Sequence, residues 1–415
     1  MTDTTRFYDA LETRDPQQRE DALLAALPDQ VALAKTRSAY FADLLKDVDP
    51  GAVTTRAALA KLPVTRKSDL PFLQPKSLPF GGLNGTKPGG LARIFMSPGP
   101  IYDPEGRRPD YWRFARALFA TGFRAGEIVH NTFSYHLTPA GSMIESGAHA
   151  LGCAVVPAGV GQTDLQLRAI ADIRPDGYGG TPSFLKILVD KAREEGLDIS
   201  SLKKALVTGE AFLPPHRAAL RESGIAARQC YGSADLGLVA YESEAEEGMI
   251  LDEHVIVEIL RPGTGDPVET VGEVGEVVVT LLEEDYPLIR FATGDLSALM
   301  PGVSPCGRTN ARLRGWLGRA DQVTKIRGMF VHPVQVSAAV KKHPAVTKAR
   351  LVVAHDGTSD DMVLEVEVAD ASALSQDALL DDLRAATKLR GRLSLVAPGT
   401  LPEDAKTIED RRAVG

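Results

Sequence analysis

Apolar and polar residues between positions 95 and 240 alternate in short strand-like and helix-like blocks. This alternation predicts a mostly parallel sheet covered by helices. Ligands of such open sheets bind beyond the carboxyl ends of the strands, so the loops after Phe133, Gly179, Thr208 and Tyr231 are expected to carry function. The predicted strands are Glu127–Phe133, Cys153–Val156, Gly177–Gly180, Lys204–Thr208 and Ala227–Tyr231. The predicted helices are Tyr111–Ala120, Gly141–Leu151, Asp164–Ile173, Pro182–Glu195 and Pro214–Ser223.

The pattern changes on both sides of this region. Pro63–Leu70 predicts a loop that enters a helix, with Thr65 as a candidate N-cap. Between residues 249 and 300, strand-like runs separated by Gly/Pro turns predict a meander or small barrel; they are Ile250–Leu260, Gly275–Leu282 and Leu288–Phe291. From residue 319 onward the chain predicts a separate small α+β domain. We therefore expect an α/β protein with a large domain, 1–318, and a small C-terminal domain, 319–415.

Composition narrows the class of protein. The 415 residues include 47 Lys+Arg and 55 Asp+Glu, so the net charge of −8 disfavours a nucleic-acid-binding surface. The hydrophobic share of 44% is typical of a globular core. Cys153, Cys230 and Cys306 are far apart, which signals neither a disulfide framework nor a local zinc site. No secretory h-region or membrane-length apolar run is present, so a cytoplasmic, soluble protein is expected.

Three segments could carry chemistry. Gln229–Asp235 ends a predicted strand at Tyr231-Gly232 and then offers a hydroxyl and a carboxylate. It suits either an ordinary strand–turn–helix junction, with Asp235 in the first turn, or a nucleotide site. In the nucleotide site, Tyr231 stacks on a base and Asp235 holds a hard cation such as Mg²⁺.

The other two segments also have ordinary interpretations. In Arg290–Leu296, Asp295 follows Thr-Gly, which suits a turn or a carboxylate that accepts both ribose hydroxyls. Gly318–Pro333 taken alone is a hairpin with solvated charges.

Taken in order, the three segments resemble the adenylate-forming superfamily, and within it the phenylacetate–CoA ligase family. The superfamily motifs are Tyr-Gly-x-Thr/Ser-Glu, then Tyr-Arg-Thr-Gly-Asp, then Gly-Arg-x-Asp-x-x-x-x-x-Gly. The phenylacetate ligase branch adds three further motifs, matched here by Pro63–Leu70, Thr181–Phe184 and Cys306–Thr309. The resemblance runs from about residue 60 to the C-terminus.

The resemblance implies a role for each matching residue. Lys406, otherwise an ordinary solvated tail lysine, would be the mobile lysine that bridges the carboxylate and the α-phosphate, and Asp321 would be the hinge. Asp235 stands where the family usually has Glu, so it would hold Mg²⁺ with one methylene less reach. The nucleotide is expected to contact Gly209, Glu210, Ala211, Tyr231, Gly232, Ser233, Asp295 and Arg319. Gly328 would lie near the pantetheine path, and Tyr135, His136, Ala234 and Gly237 would line the acid pocket.

One loop departs from the family pattern. The phosphate loop should fall near Ile94–Gly106, where Pro98 and Pro100 lack N–H donors and no lysine is present. Asp103 and Glu105 add negative charge, and Arg107 and Arg108 are the nearest cations in the sequence. ATP is expected to bind more weakly there, to be held by other groups, or not to be a substrate.

The resemblance thus implies an AMP-forming ligase that uses ATP, Mg²⁺ and coenzyme A on an aromatic or apolar carboxylic acid, in a homodimer. The apolar residues of the expected acid pocket favour this class of acid, although Tyr135 suits a core aromatic with a satisfied hydroxyl equally well. Two alternatives stay open. One is an adenylating enzyme with an amine or carrier-protein acceptor, and the other is a non-catalytic nucleotide- or acyl-CoA-binding paralogue.

Overall fold

The computed structural model describes residues 6–97, 100–261, 265–317, 319–320, 324–331, 333–355, 360–402 and 406–412. The chain divides into two compact units, Met1–Leu317 and Gly318–Val414, which are treated separately below.

A nine-stranded sheet runs through the large unit. Its order is β14-β15-β10-β9-β8-β7-β6-β4-β5, in which β5, β4, β6, β7 and β8 are parallel and the remaining strands are antiparallel. The predicted parallel sheet is therefore one half of a mixed sheet. The strands are β4 Ile128–Asn131, β5 Ala154–Pro157, β6 Gly177–Gly180, β7 Lys204–Val207, β8 Ala226–Ser233, β9 Gly237–Tyr241, β10 Met249–Leu251, β14 Leu299–Met300 and β15 Arg312–Leu313.

Helices follow the parallel strands, as the alternation predicts. In α8, Leu185, Leu188, Val189 and Ala192 are buried on one face, and Thr181 caps the first turn. The helices of the large unit are α1 Pro16–Arg37, α2 Ala39–Leu44, α3 Arg56–Leu59, α4 Leu70–Leu73, α5 Phe114–Thr121, α6 Ala140–Leu151, α7 Thr163–Ile173, α8 Pro182–Glu195 and α9 Pro214–Glu222.

A second sheet of the large unit has the order β1-β13-β12-β11, and a separate hairpin is formed by β2 and β3. These strands are β1 Thr65–Arg66, β2 Arg93–Ser97, β3 Ile101–Glu105, β11 Val255–Leu260, β12 Gly275–Leu281 and β13 Phe291–Ser297. The predicted meander is confirmed in β11 and β12, but the predicted third strand, Leu288–Phe291, coincides with β13 only at Phe291. β1 joins this sheet in parallel from almost 230 residues upstream.

Three details of the sequence interpretation are wrong. The predicted strand Ile250–Leu260 is divided between the two sheets, because a turn at residues 252–254 separates β10 from β11. Thr65 does not cap a helix, since it pairs with Phe291 in β1. Asp235 does not start a helix either: β8 and β9 form an antiparallel hairpin, and Asp235 lies in its turn.

Within its described residues, the small unit contains a four-stranded sheet, order β20-β19-β18-β21, a two-stranded hairpin and two α-helices. Its apolar core includes Val336 of the first helix, Leu351 and Leu364 of the sheet, and Leu383 of the second helix. The elements are β16 Thr324–Ile326, β17 Met329–Val331, α10 Pro333–Val340, β18 Val346–His355, β19 Asp360–Val368, α11 Gln376–Thr387, β20 Arg392–Val396 and β21 Ile408–Asp410.

Across the described residues, no helix combines the length and apolar character needed to cross a bilayer. Cys153, Cys230 and Cys306 are buried free thiols.

Candidate active site

Four side chains of the large unit form a hydrogen-bonded group, here called the Asp295 cluster: Tyr231, Thr293, Asp295 and Trp316. The Tyr231 hydroxyl donates to Oδ2 of Asp295 at 2.9 Å, and the Trp316 indole N–H donates to Oδ1 at 3.0 Å. The Asp295 backbone N–H donates to Thr293 Oγ1 at 3.1 Å. Two of the sequence motifs, 64 residues apart, therefore meet at one carboxylate.

An irregularity in β13 projects Asp295 out of the sheet. The pairing of β12 with β13 shifts between Glu276 and Val278, so that more residues of β13 than of β12 lie between the paired positions. Gly294 occupies this bulge with φ of +77°, a conformation that glycine adopts without steric strain. The Thr293-Gly294-Asp295 sequence is thus the local cause of the position of this half-buried carboxylate.

A second group, here called the Asp103 cluster, comprises Lys67, Ser97, Asp103 and Asp235. The Lys67 ammonium pairs with Oδ2 of Asp235, whose side chain is buried, and Ser233 Oγ donates to the same oxygen at 3.3 Å. Burial alone would lower the pKa of Lys67, but the Asp235 and Asp103 carboxylates outweigh it and raise that pKa. Lys67 is therefore held as a cation beside the carboxylate that the sequence assigned to a metal.

Asp103 is the most buried member of this cluster, with none of its surface exposed. Its Oδ2 accepts a hydrogen bond from the Ser97 hydroxyl across the β2–β3 hairpin. Burial, followed by the charge of nearby Asp235, raises the pKa of Asp103 well above its usual range. By contrast, Glu105 on the same face of β3 is neutralised by Arg93 at 3.1 Å. Only one of the two acids in this hairpin thus faces the site without a guanidinium partner of its own in the described chain.

Lys67 reaches Asp235, 168 residues away, because β1 lies against β13. Buried Arg290 fixes the approach of this segment: its guanidinium donates to the Ala60 carbonyl at 2.7 Å and to the Leu62 carbonyl at 2.5 Å. Arg290 also pairs with Glu258 at 3.0 Å. The arginine of the second motif therefore holds the segment before β1 in place.

The loop after β7 carries Gly209, Glu210 and Ala211, which are exposed at the edge of the sheet. Gly209 has φ of +86°, so a side chain would be strained there. Glu210 Oε1 accepts the backbone N–H of Ser183 at 2.7 Å and so caps the first turn of α8. This loop and the Thr181–Phe184 motif are therefore tied together at the carboxyl ends of β6 and β7.

The expected acid-pocket residues lie at two places along the sheet. Tyr135 and His136 follow β4 and are exposed, and the Asn131 amide donates to the Tyr135 hydroxyl at 2.7 Å. Burial of the hydroxyl end, followed by nearby Glu145, raises the pKa of Tyr135. Ala234 and Gly237 belong to the β8–β9 hairpin, and β6 and β7 separate that hairpin from β4.

Gly237 has φ of +68°, and a Cβ there would lie 2.8 Å from the Trp112 carbonyl oxygen, so the hairpin requires glycine at this position. Gly232 and Ser233 end β8 beside it.

The remaining predicted residues belong to the small unit. Arg319 and Gly328 are described, and Gly328 is exposed with φ of +84° in the β16–β17 turn. Lys406 precedes β21. Asp321 lies outside the described residues, as do Pro98 and Gly99 of the β2–β3 loop. The hinge, the mobile lysine and the pantetheine contact stay predictions.

The two arginines nearest to the expected phosphate loop and one of the family motifs make contacts within the fold. Arg107 donates to the Gly90 carbonyl and Arg108 pairs with Glu283, so both are engaged outside the Asp103 cluster. Arg308 of the Cys306–Thr309 motif is buried and pairs with Glu12 at 3.1 Å. That motif therefore joins the N-terminal segment around Glu12 to the rest of the large unit.

Sequence reasoning missed Lys67, Trp316 and the inward position of Asp103. Lys67 lies within Pro63–Leu70, a match to a family motif that by itself assigns no role to the lysine. Trp316 is one of only two tryptophans and precedes the Gly318-Arg319 motif by two residues, but no local pattern ties it to Asp295. The only sequence signal for the inward position of Asp103 is the spacing of two residues between Asp103 and Glu105 in β3.

Comparisons with known proteins agree with this geometry. No protein-family model matches the chain. The phenylacetate–coenzyme A ligase of Thermus thermophilus is 33% identical over 373 residues, covering 85% of this chain and 82% of that protein. The same-named protein of Aromatoleum evansii is 34% identical over 339 residues, covering 78% of this chain and 75% of its own. A crystal structure of 2-hydroxyisobutyryl-CoA ligase, 24% identical, shares the fold with a TM-score of 0.85 over 100% of this chain and 94% of its own.

Proposed function

The chain belongs to the phenylacetate–CoA ligase family of adenylate-forming enzymes, and from this premise we propose that it activates an aromatic or other apolar carboxylic acid with ATP and transfers the acyl group to coenzyme A. It is an AMP-forming acid–thiol ligase. The choice of acid, the roles of individual residues and the use of Mg²⁺ are proposals.

The observation that carries the proposal is the convergence on Asp295. Its two carboxylate oxygens accept hydrogen bonds from Tyr231 and Trp316. Lys67, which follows the strand β1 that pairs with β13, forms an ion pair with Asp235 of the β8–β9 turn. A carboxylate at the end of a bulged strand is suited to two neighbouring hydroxyls, as the ribose of ATP offers. The exposed Gly209–Ala211 loop and Tyr231 would then enclose the adenine, with Gly232 and Ser233 beside them. Arg319 would assist at the ribose.

The chemistry requires no protein nucleophile. The substrate carboxylate attacks the α-phosphorus of ATP in line, and pyrophosphate leaves; a thiol then attacks the acyl-adenylate, and AMP leaves. Positioning and neutralisation of charge supply the acceleration of such steps. Lys406 would provide the mobile cation for the first step, and rotation about Asp321 would exchange it for the Gly328 side of the small unit in the second.

The Asp103 cluster fits a divalent cation. Oδ1 of Asp103 and Oδ1 of Asp235 are buried and accept no hydrogen bond within the described part of the chain. Mg²⁺ is commonly held by one or two carboxylates, with water and phosphate oxygens completing its shell. Asp235 would hold the ion with Asp103 as a second ligand, and when bound it would neutralise charge on the phosphates. No group of three or more potential metal ligands occurs among the described residues, so substrate oxygens have to contribute.

The decisive experiment is pyrophosphate release from ATP and Mg²⁺ with a panel of aryl, arylacetic and short aliphatic acids, with and without coenzyme A. Release that depends on one acid class identifies the substrate chemistry. Formation of the acyl thioester in preference to an amide separates the ligase from the amine-transfer alternative. No release from folded protein with any acid, together with no ATP binding by calorimetry, would contradict the proposal.

Three further statements stay predictions beside this function. They are the cytoplasmic location, the homodimer, and the aromatic or apolar class of the acid, for which Tyr135, His136, Ala234 and Gly237 are the expected pocket residues. The carrier-protein acceptor and the non-catalytic paralogue are the less favoured alternatives.

A further inference from the structure

The indole of Trp316 is held against Asp295 by its own backbone. The Leu317 N–H donates to the Leu296 carbonyl at 2.9 Å, and the Arg314 N–H donates to the Ala298 carbonyl at 2.9 Å. The Ser297 hydroxyl donates to the Gly315 carbonyl at 2.6 Å. Residues 314–317 are therefore fastened along the end of β13, and the tryptophan side chain is presented to the carboxylate of the same strand.

The two donors on Asp295 act on different oxygens. Tyr231 donates to Oδ2 and Trp316 to Oδ1, so together they oppose rotation of the carboxylate about its Cβ–Cγ bond. A carboxylate whose orientation is fixed at both oxygens matches a vicinal diol better than a freely rotating one does.

We propose that Trp316 is a positioning residue for the nucleotide: its indole N–H orients the Asp295 carboxylate toward the 2′- and 3′-hydroxyls of the ribose. This inference rests on the proposed function, because it assumes that ATP binds at Asp295. It adds a selectivity role, since a carboxylate preset for two hydroxyls discriminates against nucleotides that lack one of them. Trp316 itself need not touch the nucleotide for this effect.

The test uses Trp316→Phe, which keeps an aromatic ring in the cleft and removes the N–H. Dissociation constants are measured by calorimetry, without acid substrate, for ATP, 2′-deoxy-ATP and 3′-deoxy-ATP. We expect the variant to bind ATP about 3- to 10-fold more weakly, as loss of one hydrogen bond to a charged group would allow. We expect a clearly smaller loss for the deoxy nucleotides, because they already lack one of the bonds that the oriented carboxylate makes.

Two further variants separate orientation from packing. Trp316→His restores a ring N–H and should bind ATP better than the Phe variant does. Trp112→Phe removes the N–H of the other tryptophan, which is buried outside the Asp295 cluster, and should leave the preference for ATP over deoxy-ATP unchanged. In steady state, the Trp316→Phe variant should raise the KM for ATP with little change in kcat or in the KM for the acid.

Equal losses for all three nucleotides would show that the ring acts by packing, and they would overturn the inference. An unchanged ATP affinity in the Phe variant, or no recovery with His, would overturn it as well. All of these outcomes leave the ligase function intact. If the unaltered protein binds no ATP and releases no pyrophosphate, the proposed function fails, and the inference fails with it.

Discussion

The Asp295 cluster and the Asp103 cluster each include one residue of the β8–β9 hairpin, Tyr231 and Asp235 respectively, but they are built in opposite ways. In the Asp295 cluster, each carboxylate oxygen already has a neutral donor, so the group is oriented by the fold itself. The Asp103 cluster brings two buried carboxyl groups to one ammonium and leaves two oxygens without hydrogen-bond partners in the described chain. If ATP binds as proposed, the ribose end of the site is organised in advance, and the phosphate end would be completed by added cations.

The comparison also explains how the unusual β2–β3 loop can be compatible with adenylation. A glycine-rich loop would supply backbone N–H groups to the phosphates, and Pro100 cannot. In the proposed function, Lys67, directly after β1, would provide positive charge instead, and the two carboxylates would provide oxygen ligands for a metal ion. Side chains and ions would then bind the phosphates in place of backbone N–H groups.

The largest expected effect is that of Lys406→Ala. If Lys406 supplies the mobile cation, adenylate formation should fall by about 10²- to 10⁴-fold, because stabilisation of the transition-state charge is lost. Rapid-quench assays of acyl-adenylate formation measure this loss. Thioester formation from preformed adenylate and ATP affinity should change little, which would separate the lysine from the preorganised Asp295 cluster.

Lys341→Ala is the matched control, since it removes another lysine of the small unit from an exposed position. Equal rates of adenylation in the Lys406 variant and the control would remove Lys406 from the mechanism.

Asp295→Ala is expected to come next in size. The variant loses an acceptor for two hydroxyls, and ATP affinity should weaken by about 10- to 100-fold, which corresponds to about 1.4–2.7 kcal/mol. Calorimetric titration with ATP measures the change, and Asp198→Ala, which alters an exposed ion pair with Arg174, serves as control. An affinity equal to that of the control would contradict the ribose role.

Asp103→Asn tests the phosphate end. The substitution keeps an acceptor for Ser97 and removes one of the two carboxylate ligands. We therefore expect Mn²⁺, used as a probe in the presence of a non-hydrolysable ATP analogue, to bind about 3- to 10-fold more weakly. Electron paramagnetic resonance of free Mn²⁺ measures this. Unchanged Mn²⁺ affinity would show that Asp235 and the nucleotide suffice to bind the ion. Asp103 would then not be a metal ligand, and the contrast drawn between the two clusters would be weaker.

Asp110→Asn is expected to leave both clusters unchanged and to alter only the pH dependence of stability. Burial raises the pKa of Asp110 to about 6 from its usual 3.8. A carboxyl group with a raised pKa in the folded state stabilises the fold at low pH, and this contribution is lost as the pH rises through 6. The advantage of the Asn variant in free energy of unfolding should therefore grow between pH 4 and pH 7, by about 2 kcal/mol.

Urea unfolding of both proteins at several pH values measures this difference. Parallel stability curves would show that Asp110 is not protonated preferentially in the folded state. Unaltered Mn²⁺ and ATP affinities in this variant would serve as the reference for Asp103→Asn, because each substitution replaces one aspartate by asparagine.

The sequence by itself was sufficient for the α/β alternation from β4 to β8, since each strand and helix there carries its own periodicity and each turn its own glycine or proline. It also contained the ordered motifs around Asp235 and Asp295, and with them the family. It could not predict the hairpin at Asp235, because a tyrosine-glycine turn is equally compatible with a helix or a returning strand. The sequence also does not predict the turn that divides Ile250–Leu260 into β10 and β11, because apolar residues occur on both sides of that turn.

The tertiary structure alone decided which side chains meet. A hydrophobic period of two residues identifies a strand, but it does not say which strand lies beside it. The sequence around Lys67 therefore does not indicate that β1 pairs with β13, the pairing that brings the lysine to Asp235. Trp316 likewise reaches Asp295 only because residues 314–317 run along the end of β13. The residues to which we assign chemistry could be named from local sequence. The partners that orient and charge them depend on strand order, which is set by the packing of the whole unit.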